Sequence, residues 1–471
     1  MSLKPSAPQD IVIIGASGDL ARRKLLPAIY NLAAAGLLPE RGKVIGSGRG
    51  DLDTNSFRRF ARESVGEFSR TGLDEASWAE FEQRLAFVRL GDDGYARLAE
   101  QSSEAERLVY LSVPPSAVAP IIAGLEDAGL VPGTRLVLEK PFGRDVTSAQ
   151  ELNKTIHRTF SEAQIYRIDH YLGKETVQNI LVFRFGNALF ERAWNREAID
   201  HMQITVAESL GMEGRGASYE EAGALRDIVQ NHAFQVLSLL TMEPPVSLVP
   251  EAIRDEKAKV FRAMRPLDPE RTVCGQYGEG KIDGVATPAY REEPGVASDS
   301  WNETFFAAEI EIDSWRWAGV PFYLRTGKRL PRRETEVAIT FRHAPLSFFE
   351  QAGVQKLTPN HLVLRIQPDE GINFSFLAKR PGPQVSVRAV SMDFSYRDAF
   401  MTQPTEAYER LLHDVMEGDH TLFTREDSVG RAWEVVQPVL DAMPPVHFYP
   451  AGSWGPAQAE ELISPRHWHL R

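Results

Sequence analysis

Cysteine is nearly absent from the 471-residue chain, with Cys274 the only one. An internal disulfide framework is therefore excluded, and a lone thiol is read as a packing residue before it is read as a nucleophile. No Cys/His cluster carries metal-ligand spacing, so no metal site is expected. An apolar run of membrane-spanning length is also missing, and Met1 to Asp10 is too short and polar for a signal peptide, which sets the expectation of a cytoplasmic protein. Positive charge is not in excess. Lys and Arg number 53 against 65 Asp and Glu, a net charge of −12, which argues against nucleic-acid and anionic-membrane partners. An anionic ligand must then find local cations, and three places offer them: Arg22-Arg23-Lys24, the His170/Lys174 turn, and the run Arg325 to Arg333.

The length exceeds what one hydrophobic core sustains, so two domains are expected. Near the amino terminus Ile11-Val12-Ile13-Ile14 is a continuous apolar run of the kind that forms a buried parallel strand. Gly15-Ala16-Ser17-Gly18-Asp19-Leu20 follows, and then a helical pattern with Leu25, Leu26, Ile29 and Leu32 on one face. Strand, glycine turn and helix make a dinucleotide seat: Gly15 permits the tight turn and Gly18 the close approach of a pyrophosphate. Ser17 stands where the usual G-x-G-x-x-G has its middle glycine. The next strand, Lys43 to Ser47, ends at Gly48-Arg49, where an NAD-selective site places a carboxylate. Arg49 suits a ribose 2′-phosphate, so NADP is the expected cofactor, with Asp51 near enough to leave room for some NAD use. Strands at Leu85 to Leu90, Leu108 to Val113 and Leu136 to Glu139 alternate with helices, which predicts a doubly wound parallel sheet. Lys140-Pro141 falls at a strand's carboxyl end and makes Lys140 a candidate substrate ligand.

The densest chemistry is Arg167-Ile-Asp-His-Tyr-Leu-Gly-Lys174, between a predicted strand at Gln164 to Ile168 and a predicted helix at Glu175 to Phe190. Ligands of open α/β sheets bind at strand carboxyl ends, and a helix amino terminus beside His170 and Lys174 suits a phosphate. Farther on, His201 to Ala207 alternates as a half-buried strand ending at Glu208. Tyr219 to Leu240 reads as one long helix. At helical spacing His232 sits among Ile228, Val229, Gln235 and Val236, which favours a core histidine unless a carboxylate such as Asp169 sets its tautomer. Segments from Glu303 to Leu324, including Trp315-Arg316-Trp317, and from Glu336 to Phe341 and Leu362 to Gln367 look like strands of one large antiparallel sheet. Two late helices, Thr405 to Met416 and Arg425 to Asp441, read as structural.

Taken in order, Gly15-Ala-Ser-Gly-Asp-Leu, Glu139-Lys-Pro-Phe-Gly, Arg167-Ile-Asp-His-Tyr-Leu-Gly-Lys-Glu, Arg226-Asp-Ile-Val-Gln-Asn-His and Arg325-Thr-Gly-Lys resemble the glucose-6-phosphate dehydrogenase family over nearly the whole chain. The resemblance implies an α/β plus α+β fold. A Rossmann-type dinucleotide-binding domain, residues 1–170, precedes a substrate-binding and oligomerisation domain with a large antiparallel sheet and helices, residues 171–471. It implies oxidation of β-D-glucose 6-phosphate at C1 to 6-phospho-D-glucono-1,5-lactone with hydride transfer to NADP, the first step of the oxidative pentose phosphate pathway, in a homodimer or homotetramer. Carried over residue by residue, His232 is the general base and Asp169 orients it. His170, Tyr171 and Lys174 hold the phosphate, with Arg333 nearby, while Lys140, Glu208, Asp227, Lys328 and Gln367 form the sugar set. Gly15, Ser17, Gly18, Asp19, Leu20, Arg49 and Lys140 form the cofactor set. The competing expectations are a dehydrogenase of another hexose 6-phosphate and a non-catalytic, sensor-like relative.

Overall fold

The computed structural model describes residues 5–91, 93–346, 348–349, 357–383, 385–401 and 405–469. Two compact units emerge. The first comprises Met1–Glu175, Pro245–Glu256 and Pro404–Gly430; the second comprises Thr176–Pro244, Lys257–Gln403 and Arg431–Arg471. The first unit thus draws in two later segments that a single cut at residue 170 leaves in the second. Specific pairings hold them there: Arg254 bonds Glu162 at 3.2 Å, and Glu409 accepts from Arg70 at 2.7 and 2.8 Å.

In the first unit β1 (Asp10–Ile14), β2 (Val44–Gly48), β3 (Leu85–Arg89), β4 (Arg107–Leu111), β5 (Thr134–Leu138) and β6 (Ile165–Ile168) form a parallel sheet ordered β3-β2-β1-β4-β5-β6. Every residue of β1 and of β4 is buried, as continuous apolar runs in a sheet covered on both faces require. A two-residue strand, Phe423–Thr424, pairs antiparallel with β6 and covers its open edge. The order reverses between β1 and β4, the switch point at which such sheets bind ligands. At the head of that crevice Gly15 has φ +92°, and a Cβ there would lie 2.1 Å from the Ser112 carbonyl oxygen. Only glycine fits both the dihedral and the space. Gly15→Ala is expected to lose about 3 kcal/mol or more of stability, measured by denaturant unfolding, together with cofactor affinity; an unchanged midpoint would show that the turn tolerates a methyl group.

The second unit is built on β7 (Ile199–Ala207), β8 (Thr272–Gly278), β9 (Phe305–Ile310), β10 (Phe322–Gly327), β11 (Glu334–Phe341), β12 (His361–Gln367), β13 (Gly371–Lys379), β14 (Val387–Ser395) and β15 (Val446–Pro450). Their order is β14-β13-β12-β11-β7-β10-β9-β8-β15, antiparallel except for the parallel pairs β7/β10 and β8/β15. Cys274 is buried in β8, where desolvation pushes its thiol pKa up, as suits a packing residue rather than a nucleophile. Four sequence expectations change. The strand His201 to Ala207 is buried at its polar positions His201, Gln203 and Thr205 as well, because it lies inside the sheet with β10 and β11 on either side. Trp315-Arg316-Trp317 is a turn, with Trp315 exposed and Trp317 buried. The helix from Glu175 stops at Phe185 and a short one, Ala188–Arg192, follows, because Gly186 and Asn187 are poor helix formers. The long helix at Tyr219 is broken into Gly216–Glu220, a π-helical stretch Leu225–Ala233, and an α-helix Phe234–Thr241.

Candidate functional site

In the first unit the chain leaves β6 at Ile168 and immediately turns on Asp169. The Asp169 carboxylate accepts from the Tyr171 backbone N–H at 3.0 Å and its carbonyl from Leu172 N–H at 3.0 Å, while Lys174 N–H bonds the Tyr171 carbonyl at 3.1 Å. Gly173 is required because a Cβ would come within 2.8 Å of the Ala407 carbonyl oxygen. The Lys174 ammonium then lies 4.1 Å above the Tyr171 ring, a cation–π contact that pre-positions the charge at the start of the helix Glu175–Phe185. His170 stands edge-on to Tyr171 at 5.2 Å and parallel to Tyr408 at 6.3 Å. Asp169 and Tyr171 are buried; His170 and Lys174 are half-buried.

Tyr408 belongs to the late helix Ala407–Glu417, read from sequence as structural, and does more than pack. Its hydroxyl donates to Glu139 Oε1 at 3.1 Å, and the Tyr110 hydroxyl donates to the same oxygen. Glu139 ends the strand run just before Lys140. Burial pushes its pKa up, and the two phenols and the neighbouring Lys140 oppose that rise. Lys140-Pro141 is cis. Beside it Leu111, Val113, Leu138, Pro141 and Phe142 line an apolar cavity at the carboxyl ends of β4 and β5. The glycine turn after β1 leaves Ser17 and Asp19 exposed, with Gly18 and Leu20 half-buried. Gly15 packs directly against the Ser112 carbonyl, which keeps the turn tight, and the turn opens onto a helix amino terminus, an arrangement that fits a pyrophosphate. By contrast, Arg22, Arg23 and Lys24 each face a carboxylate, Glu67, Asp19 and Glu406, at 2.8, 2.8 and 2.9 Å, so this basic run is already neutralised.

In the second unit β7 delivers Glu208 and β10 delivers Lys328. The Lys328 ammonium is 2.6 Å from Glu208 Oε2, 3.9 Å from Asp227 Oδ2 and 5.0 Å from the centre of the Tyr219 ring. Burial, followed by the charge of Asp227, drives the Tyr219 phenol pKa well up, so Tyr219 stays a neutral wall. Met212, Arg215, Ser218, Tyr219, Asp227 and Lys328 line a cavity of about 130 Å³. A buried cation flanked by two half-exposed carboxylates around a cavity offers donors and acceptors of the kind that can bind neighbouring hydroxyls. At the end of β12, Gln367 accepts from Arg333 at 3.1 Å and donates to Thr335 Oγ1 at 3.0 Å, forming a second polar group.

His232 is 1% exposed and lies five residues after Asp227 within the π-helical stretch. The i→i+5 bonding of a π-helix brings positions five apart toward one face, which α-helical spacing does not. Both ends of this helical region are anchored. Upstream, the buried Glu303 accepts from Leu225 N–H at 3.1 Å and its carbonyl from Ala224 N–H at 3.0 Å; Gly223, at φ +70°, leaves the room a Cβ would take from that carboxylate. Downstream, Trp194 and Trp317 donate their indole N–H groups to the Leu240 and Thr241 carbonyls at 2.7 Å, and Arg184 donates to Leu239 and Met242 at 2.8 and 2.9 Å. These donors satisfy the last carbonyls of the helix and place a cation at its negative end. Asp169 belongs to the first unit and His232 to the second.

The family model described as glucose-6-phosphate dehydrogenase, NAD binding domain, matches residues 12–179, and the corresponding C-terminal domain model matches residues 181–469. The chain belongs to the glucose-6-phosphate dehydrogenase family. It is 45% identical over 477 residues to glucose-6-phosphate 1-dehydrogenase of Rhizobium meliloti (strain 1021), covering 98% of this chain and 96% of the relative. The enzyme of the same name from Aggregatibacter actinomycetemcomitans is 46% identical over 476 residues, covering 96% and 95%. Among solved structures, a glucose-6-phosphate dehydrogenase in complex with its substrate glucose-6-phosphate superposes with a TM-score of 0.91 at 36% identity and full coverage of both chains. The glucose-6-phosphate 1-dehydrogenase of Mycobacterium avium gives 0.89 at 40% identity, with 99% of each chain covered. As a family member with an NAD binding domain, this protein takes a nicotinamide dinucleotide as cofactor. Among the described residues no helix is long and apolar enough to cross a membrane.

Proposed function

We propose that this protein oxidises β-D-glucose 6-phosphate at C1 to 6-phospho-D-glucono-1,5-lactone, with NADP as the hydride acceptor. The observation that carries the reading is the Asp169–Lys174 turn, where a pre-positioned ammonium and an imidazole meet a helix amino terminus at the end of a parallel strand. In this reading His170, Tyr171 and Lys174 bind the phosphate with Arg333 nearby, and Lys140, Glu208, Asp227, Lys328 and Gln367 bind the sugar hydroxyls. His232 takes the C1 hydroxyl proton, and Asp169 holds its imidazole in the required tautomer and stabilises the imidazolium. The bound nicotinamide supplies the site that receives the C1 hydride. Gly15, Ser17, Gly18, Asp19 and Leu20 cradle the pyrophosphate, Lys140 also borders the cofactor, and Arg49 reads the 2′-phosphate. Residues 1–170 form the dinucleotide-binding domain, which also contributes Lys140, Asp169 and His170 to the substrate side, and residues 171–471 form the domain for the sugar and for self-assembly into a homodimer or homotetramer, in the cytoplasm.

The test is the appearance of reduced nicotinamide on mixing the protein with glucose 6-phosphate and either NADP or NAD, with galactose and mannose 6-phosphates in parallel. Rapid reduction of NADP by the glucose compound is the expected result. Faster reduction with an epimer would reassign the substrate, and no reduction with any would support a non-catalytic relative. Arg49→Ala is expected to raise the KM for NADP about 10-fold while moving that for NAD much less; equal changes would remove Arg49 from 2′-phosphate recognition.

A further inference from the structure

We propose that Arg89 is a second determinant of cofactor choice, which acts by occupying Asp51 and by adding its own charge beside Arg49. The inference rests on the dehydrogenase reading above and concerns a residue that no local motif marks. β2 and β3 are adjacent parallel strands in register Gly48↔Arg89, and the Leu90 N–H bonds the Gly48 carbonyl at 2.8 Å. Arg49, one residue past Gly48, and Arg89 therefore both lie at the carboxyl edge of the sheet, at the ends of the neighbouring strands β2 and β3. That edge is where doubly wound folds read the ribose 2′ position.

Two carboxylates follow β2 and compete for the same place. Asp53 is committed elsewhere: it caps the helix Thr54–Phe68 by accepting from Ser56 N–H at 2.7 Å. Asp51 is the one left to accept a hydrogen bond from a free ribose 2′-hydroxyl, which is what binding of NAD requires. Arg89 Nη1 holds Asp51 Oδ1 at 2.5 Å. Arg49 has no hydrogen-bonding or ionic partner among the described residues, so its charge is uncommitted. With Asp51 paired to Arg89 and Asp53 held as a helix cap, the local balance leaves the Arg49 guanidinium uncommitted. Such a balance favours a phosphate dianion and denies a neutral hydroxyl its acceptor. Both members of the pair are largely exposed, at 57% and 83%, so the bond adds little to stability; what it changes is which charge faces the ligand.

The test uses the full chain with Arg89→Ala, Asp51→Asn and the double variant, assayed with glucose 6-phosphate and each cofactor. Arg89→Ala is expected to raise the KM for NADP by about 5- to 20-fold and to lower that for NAD by about 2- to 5-fold, because a cation is lost and Asp51 is released. In the double variant the gain for NAD disappears while the loss for NADP persists. Proportional changes for both cofactors in Arg89→Ala, or a gain for NAD that survives removal of Asp51, would overturn the proposal. Calorimetric titration with 2′,5′-ADP and with 5′-AMP gives an answer independent of turnover, so a failed reaction assignment and a failed role for Arg89 are told apart. Arg89→Ala should weaken 2′,5′-ADP by the same factor as NADP and tighten 5′-AMP by about the 2- to 5-fold expected for NAD; equal affinities of wild type and variant for 2′,5′-ADP would sink it.

Discussion

His232→Asn is expected to lower kcat by about 10²–10⁴-fold, the usual worth of a positioned general base, while the KM for glucose 6-phosphate stays within a few-fold. Several observations support so large an effect at a residue 1% exposed. A buried histidine that only filled space could be exchanged for asparagine at a cost in stability alone. His232 instead rides on a π-helical stretch held at its start by Glu303 and at the end of the following helix by Trp194, Trp317 and Arg184. π-Helical turns are rare and are frequently found at functional sites. The decisive readout is the pH dependence of the residual rate: the limb that reports protonation of the base should vanish in the variant. A turnover close to wild type, or an unaltered acidic limb, would remove His232 from the chemistry.

Lys174→Ala is the second large effect, expected to raise the KM for glucose 6-phosphate about 10- to 100-fold with a smaller change in kcat. The ammonium is held 4.1 Å over the Tyr171 ring, so little side-chain freedom remains to be lost when a phosphate arrives. Lys174→Arg should recover only part of the affinity, since a planar guanidinium does not reproduce a compact charge at the head of a helix. Measured in parallel, the KM for the cofactor should stay as it is. If both KM values rose together, Lys174 would be supporting the turn rather than the phosphate.

These predictions draw on residues that sequence and structure reveal to different degrees. The Asp169–Lys174 turn was readable because strand, turn and helix are contiguous, and each signal is local. The glycine turn after β1 was readable for the same reason, as was the Arg49 position at the end of β2. Tyr408 was not, since its bond to Glu139 closes over 269 residues and its helix carries an ordinary amphipathic pattern. Glu303 was equally hidden: it caps Leu225 across 78 residues, and nothing near it in the chain marks it as a cap. The break at Gly223 could have been suspected from the glycine itself. The change from α to π bonding could not, because an apolar pattern tolerates one extra residue per turn.

By itself the sequence determined the alternation of strands and helices in the first unit, the parallel sheet it makes, the place of the turns after β1 and β6 and the exclusion of an internal disulfide, all of which follow from short-range periodicity, glycine position and composition. Tertiary structure alone decided that the segments Pro245–Glu256 and Pro404–Gly430 complete the first unit, that β7/β10 and β8/β15 run parallel within a mostly antiparallel sheet, and that Arg89 meets Asp51. The physical reason is common to all three. Each depends on which surfaces are buried against one another after the chain has closed long loops, and the residues that meet there carry no mark of it in their own neighbourhoods.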